Sequence, residues 1–129
     1  MKRAHVSELE LRFGDHGPGY IAKGPRTDVG YVLLPPGKDF PNHYHEHIEE
    51  AFYTIAGSVT LWVNGTDRYE LRAGDYVRCD PYEMHYFVCE GDEAWQALFI
   101  KAPHVPGDGI TREWRPGEPV PVIERPPSD

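Results

Sequence analysis

The 129-residue chain is poor in several things that would point to other kinds of protein. It has two cysteines, Cys79 and Cys89, too few for a disulfide framework. It has no dense Lys/Arg cluster; the nearest approach is Lys2-Arg3, and the formal net charge is −8. A nucleic-acid partner normally requires a basic footprint that displaces phosphate counterions, so none is expected. No run approaches the roughly eighteen apolar residues of a membrane helix, and no membrane partner is expected. No charged-then-apolar leader opens the chain, since Met1 to Leu11 carries Lys2, Arg3, Glu8 and Glu10. A reduced, cytoplasmic location is therefore expected. Uninterrupted helical stretches are also scarce, because 13 Gly and 13 Pro break the chain at short intervals.

What is present favours strands. Eight Tyr, five Phe and three Trp accompany a 40% hydrophobic content in a length that fits one domain. Three zones differ in composition. Residues 1–28 are polar and mixed, with a turn-rich patch from Gly14 to Gly19, and read as an N-terminal arm or strands packing on the main body. Residues 29–102 carry most β-branched and aromatic side chains and read as a barrel core. Residues 103–129 hold seven of the prolines and are expected to be an extended, irregular tail, with Trp114, Val120, Val122 and Ile123 available to lie on the barrel or on a neighbouring subunit.

Within the middle zone, turn signals separate short strands, the pattern of an all-β sandwich or barrel. Gly30–Leu34 ends at Pro35-Pro36-Gly37, and Glu50–Ile55 ends at Ala56-Gly57. Val59, Leu61 and Val63 alternate with Ser58, Thr60 and Trp62 up to Asn64-Gly65, a pair that tolerates the positive φ of a tight hairpin. Strands over Arg68–Leu71, Tyr76–Cys79, His85–Cys89 and Trp95–Lys101 complete the expectation, with a short helix near Val6–Phe13.

The segment from Gly37 to Gly57 carries the chemistry. His43 and His45 are two apart, so in a strand they share a face. Glu50 follows at the start of the next strand, and His85 arrives from a distant segment after a Pro-containing loop. Imidazole suits Zn, Cu, Fe and Ni, and a carboxylate widens the choice toward Mn. If Glu50 faces inward, Phe52 and Thr54 do too, while Glu49, Ala51, Tyr53 and Ile55 face away; Phe87 and Cys89 would follow His85 inward. Phe40, Phe52, Trp62, Phe87 and Gln96 are candidate substrate-pocket residues, with plain barrel core as the alternative for the aromatic ones. Tyr82 and Arg78 are weaker candidates for polar substrate contacts. His47 reads as a flanking residue, Cys89 as a small core residue, and His5, His16 and His104 as incidental.

These residues resemble the cupin family. Its first motif, Gly, five residues, His-x-His, three or four residues, Glu, six residues, Gly, is matched by Gly37, His43, His45, Glu50 and Gly57. Its second motif is matched by Gly74-Asp75 and His85, whereas Pro81 comes one position late, Tyr82 stands where a Gly is usual and Cys89 replaces an Asn. The resemblance covers roughly residues 29–102 and implies a double-stranded β-helix of the jelly-roll kind. It implies one divalent transition metal per chain (Fe, Mn, Ni, Co or Zn) on His43, His45, Glu50 and His85, with Glu50 also able to carry a proton. Enzymes of this kind include dioxygenases acting on small oxygenated molecules, and isomerases, lyases and polyketide cyclases that consume no oxygen. Sugar- or ligand-sensing cupins usually adjoin an effector domain for which 129 residues leave no room. Cupins often pair through apolar sheet faces, so a homodimer is expected, with Ala51, Tyr53 and Ile55 on the face concerned and the Val59-Leu61-Val63 stripe either beside them or in the core.

Overall fold

A computed structural model describes residues 1–127 as two five-stranded antiparallel sheets packed face to face. The first sheet runs in the order β1 (Gly17–Lys23), β2 (Asp28–Leu34), β9 (Trp95–Ala102), β4 (Glu49–Ala56) and β7 (Tyr76–Cys79). The second runs β10 (Gly109–Thr111), β3 (Asp39–His45), β8 (His85–Val88), β5 (Ser58–Val63) and β6 (Asp67–Arg72). This is the all-β, two-sheet arrangement expected from the strand spacing, and the jelly roll that the cupin resemblance implies. Among the described residues no helix is long and apolar enough to cross a membrane. The expected helix near Val6–Phe13 is only a one-turn 3₁₀ segment, Val6–Glu8, and none of its residues is buried.

The two inner faces meet in a core of Val32, Leu34, Phe52, Val59, Leu61, Leu71, Phe87, Cys89, Trp95, Ala97 and Phe99. Phe87 and Trp95 stack at 5.0 Å across it, and the Trp95 indole donates to Thr54 Oγ1 at 2.9 Å, so its one polar atom is satisfied although the side chain is fully buried. The Val59-Leu61-Val63 stripe thus belongs to the inner face. Strand alternation then turns Trp62 outward, where it packs 5.8 Å from Trp114 of the C-terminal segment.

Two glycines account for local geometry. Gly30 stands opposite both Tyr20 and Phe99 in the sheet, and a Cβ there would overlap the Phe99 ring. Its bare backbone lets the Phe99 ring lie across β2 and meet Tyr20 edge-on at 5.4 Å. Gly65, at φ 69°, follows Asn64 at φ 54° in the three-residue turn joining β5 to β6.

The segment after residue 102 is more ordered than its composition predicts. β10 pairs with β3, setting Gly109 opposite His45, and Trp114 is buried against Tyr86 and Trp62. Prolines interrupt the segment but do not prevent three edge-strand residues from completing the second sheet.

Candidate metal centre

Local strand geometry brings the four proposed ligands together. His43 and His45 alternate along β3 and face the interior, Glu50 is the second residue of β4, and His85 opens β8 opposite His43. Their donor atoms all lie within 4.8 Å of one another. Glu50 Oε1 is 3.2 Å from both His45 Nε2 and His85 Nε2 and 3.8 Å from His43 Nε2, while the Nε2 atoms of His43 and His85 are 3.1 Å apart. Metal–ligand bonds of about 2.0–2.2 Å place adjacent donors about 3.0–3.5 Å apart, so the three separations of 3.1–3.2 Å match edges of a coordination polyhedron, while His43 to Glu50 is longer.

The hydrogen bonds behind the imidazoles fix their tautomers. His43 Nδ1 lies 2.9 Å from the Pro41 carbonyl and His85 Nδ1 3.0 Å from the Glu83 carbonyl. A carbonyl oxygen only accepts, so each Nδ1 carries the proton and each Nε2 presents a lone pair. Two such lone pairs at 3.1 Å repel unless an electrophile lies between them. His45 Nδ1 is buried without a hydrogen-bond partner, so nothing but its Nε2 contacts hold that ring by polar interaction. The donor set therefore fits a cation, and the cluster could hold a metal ion.

Electrostatics point the same way. Burial raises the Glu50 carboxyl, but the surrounding His43, His45 and His85 imidazoles outweigh it and hold the group well below the usual carboxylate range. Burial and the neighbouring His43 push His85 down to about 4, against the opposing pull of Glu50. An ionised carboxylate and a neutral imidazole are the protonation states that metal ligation requires.

The loop between the two ligand strands is held from outside. Asp108 Oδ2 accepts from the backbone N–H groups of His47 and Ile48 at 2.9 and 3.0 Å. Tyr82 N–H donates to the His45 carbonyl at 2.8 Å. Tyr82 has φ 68°, so the residue standing where a Gly is usual keeps a left-handed conformation. That costs a bulky side chain about 1–2 kcal/mol, offset by the bond to His45 and by its hydroxyl donating to Glu46 at 3.1 Å. Arg78 pairs with Asp80 at 2.8 Å on the surface, and His47 is exposed.

His43, His45 and Glu50 line a cavity of about 470 Å³ with His85 buried behind them, and its apolar lining includes Val32, Phe40, Phe52, Phe87 and Phe99. Two of the pocket candidates do not reach it. Trp62 faces outward as described, and Gln96 lies between the inward Trp95 and Ala97 and accepts a hydrogen bond from Tyr31 at 2.6 Å on the other face. Cys79 and Cys89 are both buried free thiols, and Cys89 contacts the Ser58 and Glu93 carbonyls.

Sequence reasoning missed Tyr20, Lys101 and His104, all of which line the cavity. Lys101 shares the parity of Trp95, Ala97 and Phe99, so an inward lysine at the end of β9 was visible in the alternation. His104 is not incidental, since its Nδ1 lies 2.7 Å from Asp28 Oδ1.

A jelly roll with a three-histidine, one-carboxylate cluster at the base of its cavity defines a class, and comparisons with known proteins give the family. The cupin-domain family model matches residues 30–101, and the chain belongs to the cupin family. It is 28% identical over 81 residues to quercetin 2,3-dioxygenase of Bacillus subtilis, a match covering 60% of this chain and 24% of that protein. It is 32% identical over 79 residues to polyketide synthase CurC of Streptomyces cyaneus, covering 60% of this chain and 50% of that one. The chain thus spans half or less of these relatives' lengths. Its fold is similar to that of a conserved double-stranded β-helix protein from Klebsiella pneumoniae, with TM-score 0.76 and 21% identity over 88% of this chain and 99% of the other.

Proposed function

We propose that this chain is a metal-dependent enzyme acting on a small oxygenated organic molecule, with a dioxygenase reaction. The observation that carries the reading is the convergence of three imidazole nitrogens and one carboxylate oxygen beside a cavity partly lined by aromatic side chains. The partial similarity to quercetin 2,3-dioxygenase supports the oxygenase chemistry. One divalent transition metal per chain, held by His43, His45, Glu50 and His85, would supply Lewis acidity and dioxygen activation.

The residues divide the remaining work. The Pro41 and Glu83 carbonyls keep His43 and His85 oriented with Nε2 toward the cluster. Phe40, Phe52, Phe87 and Phe99 hold an apolar substrate skeleton and keep water from it. Glu50 Oε2 faces Lys101 at 3.9 Å and would take a proton from the substrate once Glu50 loosens from the imidazole cluster that holds its carboxyl low. One feature favours a second, non-redox reading as isomerase, lyase or cyclase: the hydrogen-bonded Lys101–Tyr20 pair beside Glu50 can donate and recover protons without oxygen. Exposed Tyr53, Ile55, Tyr76 and Ile100 on the first sheet support a homodimer.

The test is metal analysis of the purified chain with its molar mass from light scattering, then dioxygen uptake after loading with Fe(II), Mn(II) or Ni(II) and a diketone or flavonol. About one metal per chain and substrate-dependent uptake are expected. Product formed under strict anaerobiosis would refute the dioxygenase and leave the non-redox enzyme. A ligand recovered unchanged would refute both enzymatic readings.

A further inference from the structure

The cavity is less acidic than the chain as a whole, its three carboxylates, Asp28, Glu50 and Asp108, being matched by three cations. Arg12, Lys23 and Lys101 contribute to its lining in a protein of formal net charge −8. Its acids are already engaged. Asp108 holds the His47 and Ile48 amides, Asp28 Oδ1 takes the Gly24 amide at 2.8 Å and His104 at 2.7 Å, and Glu50 belongs to the cluster. Among the described residues the only ion-pair contact of the three cations is Lys101 Nζ to Glu50 Oε2, at 3.9 Å.

Lys101 is held in place without being neutralised. Its side chain is only 18% exposed, an unusual position for a lysine. The ammonium donates to the Tyr20 hydroxyl at 2.8 Å and lies 5.3 Å from the Tyr20 ring centre and 5.7 Å from that of Phe99. Only one of its three protons is committed. Because Tyr20 accepts from Lys101, its own phenolic proton stays free to donate. A divalent ion beside Glu50 would absorb that carboxylate's charge and leave the ammonium without a counter-ion in a largely apolar site.

We propose that Lys101, oriented by Tyr20, is the anion-binding half of the cavity, so that the substrate is a small organic anion. Such a molecule presents one oxygen to the four-residue cluster and a carboxylate or enolate oxygen to the ammonium and the phenol. The assignment rests on the metal-dependent reading above and narrows its substrate class.

The test uses the zinc-loaded full chain and two probes, succinate and its half-amide succinamate, followed by titration calorimetry. Succinate has a second carboxylate that a single metal ion binds poorly as a seven-membered chelate, so this group is available to Lys101. Succinate is expected to bind at least tenfold more tightly than succinamate. Lys101→Met should weaken succinate binding about 10–100-fold, the worth of one charge-assisted hydrogen bond, while zinc stays at one per chain. Lys101→Arg should restore most of it, and Tyr20→Phe should cost a few-fold. Unchanged succinate affinity in Lys101→Met with zinc retained would overturn this assignment alone. A wild-type chain that takes up no zinc would overturn the metal reading and the assignment with it.

Discussion

Titrating the metal-free protein with a divalent transition metal should raise its melting temperature, and the size of the rise follows from the site and the chain length. A ligand that binds only the folded state at 100 times its dissociation constant stabilises by about 2.7 kcal/mol. Unfolding entropy of about 2.1 cal/mol/K per residue, taken over 129 residues, is about 0.27 kcal/mol/K, which converts that stabilisation to roughly 10 °C. Glu50→Gln keeps the shape of the side chain and removes the one negative charge among the ligands. A 100-fold loss of affinity brings the same metal concentration down to about the dissociation constant, where stabilisation is about 0.4 kcal/mol and the shift only 1–2 °C. Glu49→Gln is the control: Glu49 is exposed, paired 3.7 Å from Arg78, and points away from the cluster, so its variant should keep the full shift. Scanning calorimetry with Fe(II), Mn(II), Ni(II), Co(II) and Zn(II) reads all three proteins. A wild-type chain unmoved by every metal would refute the reasoning, as would a Glu50→Gln shift equal to the wild-type one.

Asp108→Ala should leave two amides of the β3–β4 loop, one buried and one part-buried, without an acceptor, costing about 2–4 kcal/mol and weakening metal affinity about 10–100-fold through misplaced ligands; Asp108→Asn, which keeps an acceptor oxygen, should recover most of both, and wild-type metal affinity in the alanine variant would refute the role. Acid should destabilise the metal-free protein in two stages. His85, pushed from its ordinary 6.5 down to about 4, leaves the unfolded chain binding the extra proton between those values, so stability present above pH 6.5 is lost as pH falls toward 4. Glu50, held well below 4.5, adds a further loss below that pH. Urea denaturation of His85→Gln should give a flatter profile between pH 6.5 and 4, and a profile identical to wild type would refute the assignment.

Much of the barrel and the candidate ligands could be read along the chain because strand alternation is a local property. The spacing of His43 and His45 puts both on one face of any strand, and the parity of Glu50, Phe52 and Thr54 correctly separated them from exposed Tyr53 and Ile55. Asn64-Gly65 announced its turn by the φ values it permits, and the motif glycines Gly37, Gly57 and Gly74 are each found at positive φ. Tyr82 shows the limit of such signals: the backbone takes the left-handed shape without a glycine, held by hydrogen bonds that Tyr82 donates to distant His45 and Glu46.

Alternation gives two faces but not which one is inside. Trp62 and Gln96 were misplaced for that reason, since an aromatic or an amide suits a cavity and a covered outer face equally well, and only sheet packing decides between them. Convergence also belongs to the tertiary structure. Lys101 meets Tyr20 from 81 residues away, Asp108 reaches across to the loop between the ligand strands, and Gly109 in a Pro-rich segment backs the His45 ring. The sequence by itself determined the strands, their turns and the metal-type donor set, because each depends on residues a few positions apart. The tertiary structure alone decided the cavity's charge and the support of its ligand loop, because those come from the meeting of segments whose separation along the chain carries no periodic signal.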